Sequence, residues 1–348
     1  MKSKDGSKKH YTEISVAKGI LITLVVIGHT DVCTELVNFI YLMHMPCFFF
    51  ISGFLFNERY LTGIKGFIVK KIKGLYIPFV KWSLIFLCLH NLFYRLKLYK
   101  VEYGIEDFAL RLFKIFTLTG SEQLLGGFWF LKELLYASVI AILSMKLITM
   151  LKKRLDNKTL ISLSLLFTVL AYLASIAPFK IPTIGSKTLL ATAYFIAGYA
   201  FKSINFENSR TLLTGIAGIL LTIITSFFFN ENTDVMGIAL FKYFAISVIA
   251  SISTIYISKS IKGRAMHIMD YVGKYTLEIL TFHFISFKMV SLLVIAFCGL
   301  PIKQLADFPV IYTGNDFLWI GYTLAGVALP IIIGRAIDKM TANKKGSL

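Results

Sequence analysis

The chain has 348 residues, is 56% hydrophobic with a mean hydropathy of +0.72, and carries a formal net charge of +18. With 31 Phe and 17 Tyr it holds more apolar surface than a water-soluble domain can bury, whereas a bilayer solvates such surface. The charge does not point to nucleic acid, because the basic residues fall mostly in alternate short loops, as the positive-inside rule requires of a membrane protein.

Ten stretches close to the roughly 20 residues that a bilayer demands are predicted as membrane helices: 14–31, 36–56, 74–94, 124–147, 159–177, 187–203, 211–229, 235–257, 268–297 and 317–337. The expected fold is all-α, a polytopic helical bundle embedded in the lipid bilayer of the inner (cytoplasmic) cell membrane, with both termini cytoplasmic. The segment Met1–His10 resembles a signal-peptide n-region, but no small-residue cleavage site follows, so the first helix is read as uncleaved. Residues 1–10 and 339–348 are expected as basic cytoplasmic tails around a single membrane domain, 11–338. Inner segments hold Lys65, Lys70, Lys71 and Lys73, then Lys152, Lys153 and Arg154, then Arg210, then Lys259, Lys262 and Arg264. The outer connections 31–35 and 230–234 hold no Lys or Arg, and 299–316 holds only Lys303. The stretch 95–123 is the exception to the alternation, being long, mixed in charge and partly amphipathic, as a surface helix on the outer face would be. Cys33, Cys47, Cys88 and Cys298 show neither CxxC nor metal-ligand spacing, and no metal site is expected.

In the first span, Lys18 and His29 lie eleven residues apart, which returns a helix to within about 20° of its starting direction and rises about 16 Å. Ser15 lies beside the same stripe. Ionisable groups inside a membrane are costly and mark pathways or chemistry. A neutral imidazole in a dry pocket can take a proton from a hydroxyl, so His29 is a candidate general base. In the second span Pro46 removes a backbone donor and is expected to bend the helix, opening space near His44. Either histidine also fits a plain helix–helix hydrogen bond. The run Lys70-Lys71-Ile72-Lys73 reads either as a topology signal facing anionic lipid or as a phosphate cradle. Gly126 and Gly127 allow close backbone approach, and Trp129, Lys132, Glu133 and Tyr136 share a face near the outer boundary, for anchoring or for binding. In the ninth span Glu278 is expected near mid-depth, paired with Lys274, with His283 above it; interhelical hydrogen bonding explains them equally well.

Taken in order, these segments resemble the membrane acyltransferase-3 family, in particular its fucose 4-O-acetylase-like, sugar O-acetyltransferase branch. The resemblance rests on Lys18-x10-His29, on His44-Met-Pro46 followed by Phe-Phe-Phe-Ile-Ser52-Gly53-Phe54, and on Lys70-Lys71-x-Lys73 with Pro78. It continues with Gly126-Gly127 before Trp129-Phe130-Leu131, Phe195-Ile-Ala-Gly198-Tyr199, and Gly273-Lys274-x-Thr276-Leu277 through His283. It implies a transmembrane acyltransferase domain, with cytoplasmic acyl-CoA, acetyl-CoA in the first instance, as cosubstrate and no other cofactor. It implies a hydroxyl of a cell-envelope glycan as acceptor at the outer face. By the same resemblance His29 is the catalytic histidine, Lys18 its positive partner, and Lys70, Lys71 and Lys73 the donor-binding cluster. Ser15, His44, Gly126, Gly127, Trp129, Lys132, Glu133, Glu278 and His283 are pocket candidates. Two departures stand out: Ser15 where many relatives carry Asp, and lysine at basic positions where arginine is common, which removes bidentate phosphate recognition. A transporter or flippase for an envelope glycan is the alternative, although no repeated halves with paired broken helices are visible.

Overall fold

The computed structural model describes residues 11–151, 154–178, 183–202, 211–314 and 317–346; the expected tail 1–10, and Lys152, Lys153 and Arg210, lie outside them. Among the described residues the chain is helical without a strand. The helices are α1 (Thr12–Ile27), α2 (Thr34–Phe54), α3 (Arg59–Thr62), α4 (Ile64–Lys71), α5 (Ile77–Cys88), α6 (His90–Arg95), α7 (Ile105–Phe116) and α8 (Trp129–Met150). They continue with α9 (Asn157–Ile176), α10 (Ser186–Phe201), α11 (Thr211–Ser226), α12 (Ala239–Ser260), α13 (Gly263–Lys274), α14 (Thr276–Cys298) and α15 (Leu318–Gly346). Six of them are long and apolar enough to cross a membrane: α2, α8 with the 3₁₀ segment Gln123–Phe128 ahead of it, α9, α12, α14, and α15 over Leu318–Met340. The remaining expected spans fall on shorter helices, namely α1, α5 with α6, α10 and α11.

Two glycine crossings bring the central helices together. A Cβ on Gly53 of α2 would lie 1.7 Å from the Phe195 carbonyl oxygen of α10, and one on Gly198 of α10 would lie 1.9 Å from the Phe50 carbonyl oxygen of α2. The same reciprocity joins α1 to α13, where a Cβ on Gly19 would meet the Met269 oxygen at 2.1 Å and one on Gly273 the Ser15 oxygen at 1.9 Å. Lipid is as apolar as leucine, so helices in it associate through such small-residue contacts rather than through hydrophobic burial. The Ser15 hydroxyl adds a 3.1 Å hydrogen bond to the Asp270 carbonyl in the second crossing.

The structure redraws several expected boundaries. α1 ends at Ile27, with the Gly28 N–H donating to Leu24 O (2.8 Å) and His29 N–H to Val26 O (3.1 Å), so His29 stands in a turn just past the helix. α2 passes through Pro46 as one helix, and the expected space near His44 is there, as the cavity described below. Proline cannot donate to the carbonyl four residues back, and that carbonyl, Leu42 O, instead accepts from the Ser247 hydroxyl of α12 at 2.5 Å. One residue earlier, Tyr41 O accepts from the Tyr243 hydroxyl at 3.0 Å. The third expected span is reached through a π turn, Ile72–Tyr76, which widens the ladder just ahead of Pro78. The ninth is two helices, broken at Tyr275 between α13 and α14. Glu278 is therefore in the first turn of α14 rather than mid-span, and Lys274 pairs with Asp270 at 2.6 Å, four residues back on α13.

The stretch 95–123 carries a strongly amphipathic helix, α7, but it is not a separate surface element. Asn91 exchanges two hydrogen bonds with Tyr103 before α7 begins, and the Tyr76 hydroxyl donates to Phe116 O where it ends. α7 thus folds back antiparallel along α5, burying only Ile115 and leaving Phe113 and Phe116 exposed.

Adding a methyl group at a crossing forces backbone apart, which typically costs about 1–3 kcal/mol. Gly53→Ala and Gly198→Ala are each expected to lower the Tm of the detergent-solubilised protein by a few degrees. Gly66→Ala, in α4 with open space around the added Cβ, should leave the Tm unchanged or raise it.

Candidate active site

At the end of α1 that carries His29, a cavity of about 310 Å³ opens between α1, α2, the Gln123–Phe128 segment, α10 and the 230–234 connection. His29, His44, Gly127 and Trp129, all singled out in the sequence, line it, and Tyr41, Lys187 and Asp234 complete the polar part of the wall. His283 lies directly behind: its ring stacks on that of His29 at 5.6 Å between centroids and 23° between planes.

The three imidazoles are held differently. His44 Nδ1 is 2.6 Å from the Ile40 carbonyl, and His283 Nδ1 is 2.9 Å and 3.1 Å from the Ile279 and Leu280 carbonyls. A carbonyl can only accept, so both Nδ1 atoms are donors, and in the neutral rings each Nε2 is left with a lone pair. His283 Nε2 is fully buried and has no hydrogen-bond partner among the described residues. The His29 ring makes no side-chain hydrogen bond to another described residue; Phe284, at 5.0 Å, and His283 confine it. A ring held by packing alone is free to gain or lose a proton without breaking a hydrogen bond.

The glycine pair explains how these groups approach. A Cβ on Gly127 would lie 2.7 Å from Leu280 Cδ1 and 3.8 Å from His283 Cε1, and one on Gly126 would meet Phe284 at 3.2 Å. Only bare backbone lets the 3₁₀ segment lie against α14 at the level of His283. Immediately after it, Trp129 receives the Lys187 ammonium 4.4 Å over its ring, and Lys187 pairs with Asp234 at 2.6 Å. Glu133, one turn into α8, is buried between Lys132 (2.9 Å) and the Thr188 hydroxyl (2.5 Å). Lys132 and Glu133 therefore tie α8 to α10 behind the cavity wall instead of lining it.

Other expected site residues lie elsewhere. Lys18 and Ser15 are at the opposite end of α1, beside α13, where the Asp270 carboxylate acts on Lys18. Glu278 packs against Gly334 of α15, away from the cavity. At that same end, where the Tyr11 and Phe54 rings meet at 6.4 Å, Lys71 reaches inward and donates to the Ser52 hydroxyl at 3.2 Å, 5.3 Å over Phe67 and 5.5 Å over Phe195. Lys70 points across the Tyr60 ring at 5.4 Å, and Lys73 is exposed. Burial, with the Lys70 charge adding to it, pushes the Lys71 amine down to about 7. Tyr41, Lys187 and Asp234 were not foreseen. Lys187, in the first turn of α10, and Asp234, in the 230–234 connection, are 47 residues apart in sequence (187 against 234), and no local pattern announces their pairing.

A bundle of apolar, membrane-length helices, with two imidazoles on one cavity wall and a third behind it, defines a multi-pass membrane protein with titratable groups within the bundle. The chain belongs to the acyltransferase-3 family, whose model, described as an acyltransferase domain, matches residues 11–335. No curated protein and no solved structure matches it.

The lowered Lys71 amine gives a direct check. It is an ammonium below about pH 7 and a nucleophilic neutral amine above it. Labelling by an amine-reactive reagent, read by peptide mass spectrometry, is expected to rise at Lys71 through pH 7. Restoring an ordinary amine with Ser52→Ala and Phe195→Ser, which open the site to water, should move that rise to higher pH.

Proposed function

We propose that this protein is a membrane O-acyltransferase that moves an acyl group, acetyl in the first instance, from cytoplasmic acyl-CoA to a hydroxyl of a cell-envelope glycan. The observation that carries the reading is His29 on the wall of a cavity that also holds His44, Tyr41, Lys187 and Asp234, in a chain whose family is that of acyltransferases. In this reading ten segments cross the inner membrane and both termini are cytoplasmic, so that Lys18 and Lys71 face the cytoplasm and the histidine cavity faces outward.

The donor is long and polyanionic, and its phosphates cannot enter hydrocarbon. They stay with Lys70, Lys71 and Lys73, while the extended pantetheine arm follows α1 over the roughly 16 Å between Lys18 and His29. The acceptor enters the cavity from the opposite side, over Trp129 and beside Lys187–Asp234. His29 takes the proton of the acceptor hydroxyl as its oxygen attacks the thioester carbonyl carbon. The tetrahedral intermediate then expels CoA thiolate, which takes the proton back from the imidazolium and leaves as free CoA. The carbon–sulfur bond breaks, the ester bond forms, and no net proton is consumed. His44, on the cavity wall with a lone pair at Nε2, orients a hydroxyl group rather than supplying positive charge, and His283 backs the His29 ring.

The test uses purified protein in nanodiscs with acetyl-labelled acetyl-CoA. His29→Ala is expected to lose at least about 10²-fold in release of CoA, the scale of a positioned general base, with Tm unchanged. Normal turnover by a folded His29→Ala protein would falsify the assignment, and vectorial glycan movement without CoA release would return the protein to the transporters. Because Lys71 loses its charge above about pH 7, KM for acyl-CoA should rise through that pH in the wild type, and Lys71→Arg should flatten the rise.

A further inference from the structure

Two stretches that depart from the outer depletion of basic residues meet in the folded chain. Lys97 and Lys100 follow α6 in the 95–123 connection, and Lys303 is the one basic residue of 299–316. Together with Tyr94, Tyr99 and Asp307 they line a cleft of about 420 Å³. Asp307 is the one carboxylate on this wall, and it is taken by Lys100 at 2.8 Å. Lys97 faces only the Tyr94 ring at 5.8 Å, and Lys303 makes no ion pair among the described residues. Beneath them, Lys288 of α14 is 2% exposed; it donates to the Asp307 carbonyl and lies 5.8 Å over Phe308. Lys288 does not reach the cleft wall; beside Asp307, it adds positive charge beneath the cleft rather than a direct contact.

Two packed rings separate this cleft from the candidate active site. Phe308 packs on Phe284 at 4.7 Å, and Phe284 on His29 at 5.0 Å. Its volume is that of a small-molecule site, about 300–1,000 Å³; Tyr94, half-buried at its wall, offers a flat ring on which a sugar stacks, whereas Tyr99 is buried and stacked on His90. Resting on the acyltransferase reading, we propose that the cleft binds the carboxylate or phosphate of an anionic glycan strand, and that a sugar farther along that strand, carried past the aromatic wall, presents its hydroxyl to His29. Lysines suit this task as flexible point charges on side chains that follow a strand, where a rigid arginine fork would fix a single anion. The acceptor is therefore an acidic polysaccharide.

The experiment measures binding to the full-length protein in nanodiscs of zwitterionic lipid. The probes are an oligogalacturonate, a glycerol-phosphate oligomer and a neutral oligogalactoside of matched length. At least one anionic oligomer is expected to bind on the order of tenfold more tightly than the neutral one, as one or two charge-assisted contacts provide. Lys97→Gln with Lys303→Gln, which leaves Lys100–Asp307 intact, should abolish that preference at unchanged Tm, and His29→Ala should keep it. Equal binding of all three oligomers, or a preference that survives the double substitution, overturns the proposal. So does a lysine-dependent affinity found for anionic lipid headgroups and absent for the oligomers. Anionic preference without CoA turnover would remove the acyltransferase reading and leave the binding site standing.

Discussion

The architecture depends on backbone touching backbone at four glycines. Gly53 and Gly198 clasp α2 to α10, and Gly19 and Gly273 clasp α1 to α13, each at distances that admit no side chain. In a bilayer such contacts supply the association energy that burial supplies in water. They also set the site. α1 leads to His29 and α2 carries His44, so the separation of two imidazoles follows from where each helix is pinned. α10 begins one residue before Lys187, and α14 follows α13 after Tyr275, so Lys187 and His283 inherit their places from the same two clasps.

Within that frame the polar groups are divided by how tightly they are held. His44 and His283 have their Nδ1 protons committed to helix carbonyls, and Glu133 is enclosed by Lys132 and Thr188. His29, past the end of its helix, is confined by aromatic packing alone. Fixed neighbours around one uncommitted base are what proton transfer needs, because the surroundings then require no rearrangement as the charge moves. At the far end of the same helix the basic cluster is equally divided, with Lys71 turned in to Ser52 and Lys73 exposed.

Much of this was legible in the sequence, for reasons that differ by residue. Apolar length announced the helical membrane class. The eleven-residue spacing supposes one helix through His29, whereas α1 ends two residues before it; the paired glycines before Trp129 signalled a close approach, although not that its partner would be the helix carrying His283. What stayed hidden was long-range or cooperative. The break at Tyr275 has no proline to mark it and moves Glu278 to a helix start. Lys274 has acidic residues four positions to either side, and the helix end selects Asp270. Lys187 and Asp234 become a cavity wall only once α10 and the 230–234 connection are adjacent. Pro46 was legible as a disturbance, yet its resolution lies on α12, some 200 residues away in sequence.

That resolution has a consequence for assembly. A proline in α2 leaves Leu42 O without its helical donor, and in hydrocarbon an orphaned carbonyl costs several kcal/mol. Ser247 relieves it only when α12 arrives at the right depth and rotation. α12 slid by one residue, or turned by the 100° that separates successive side chains, would bury its hydroxyls against lipid and leave the carbonyl bare. The gap in the α2 ladder thus works as a keyhole: synthesised early, it rejects misregistered arrangements of a helix that reaches the membrane much later.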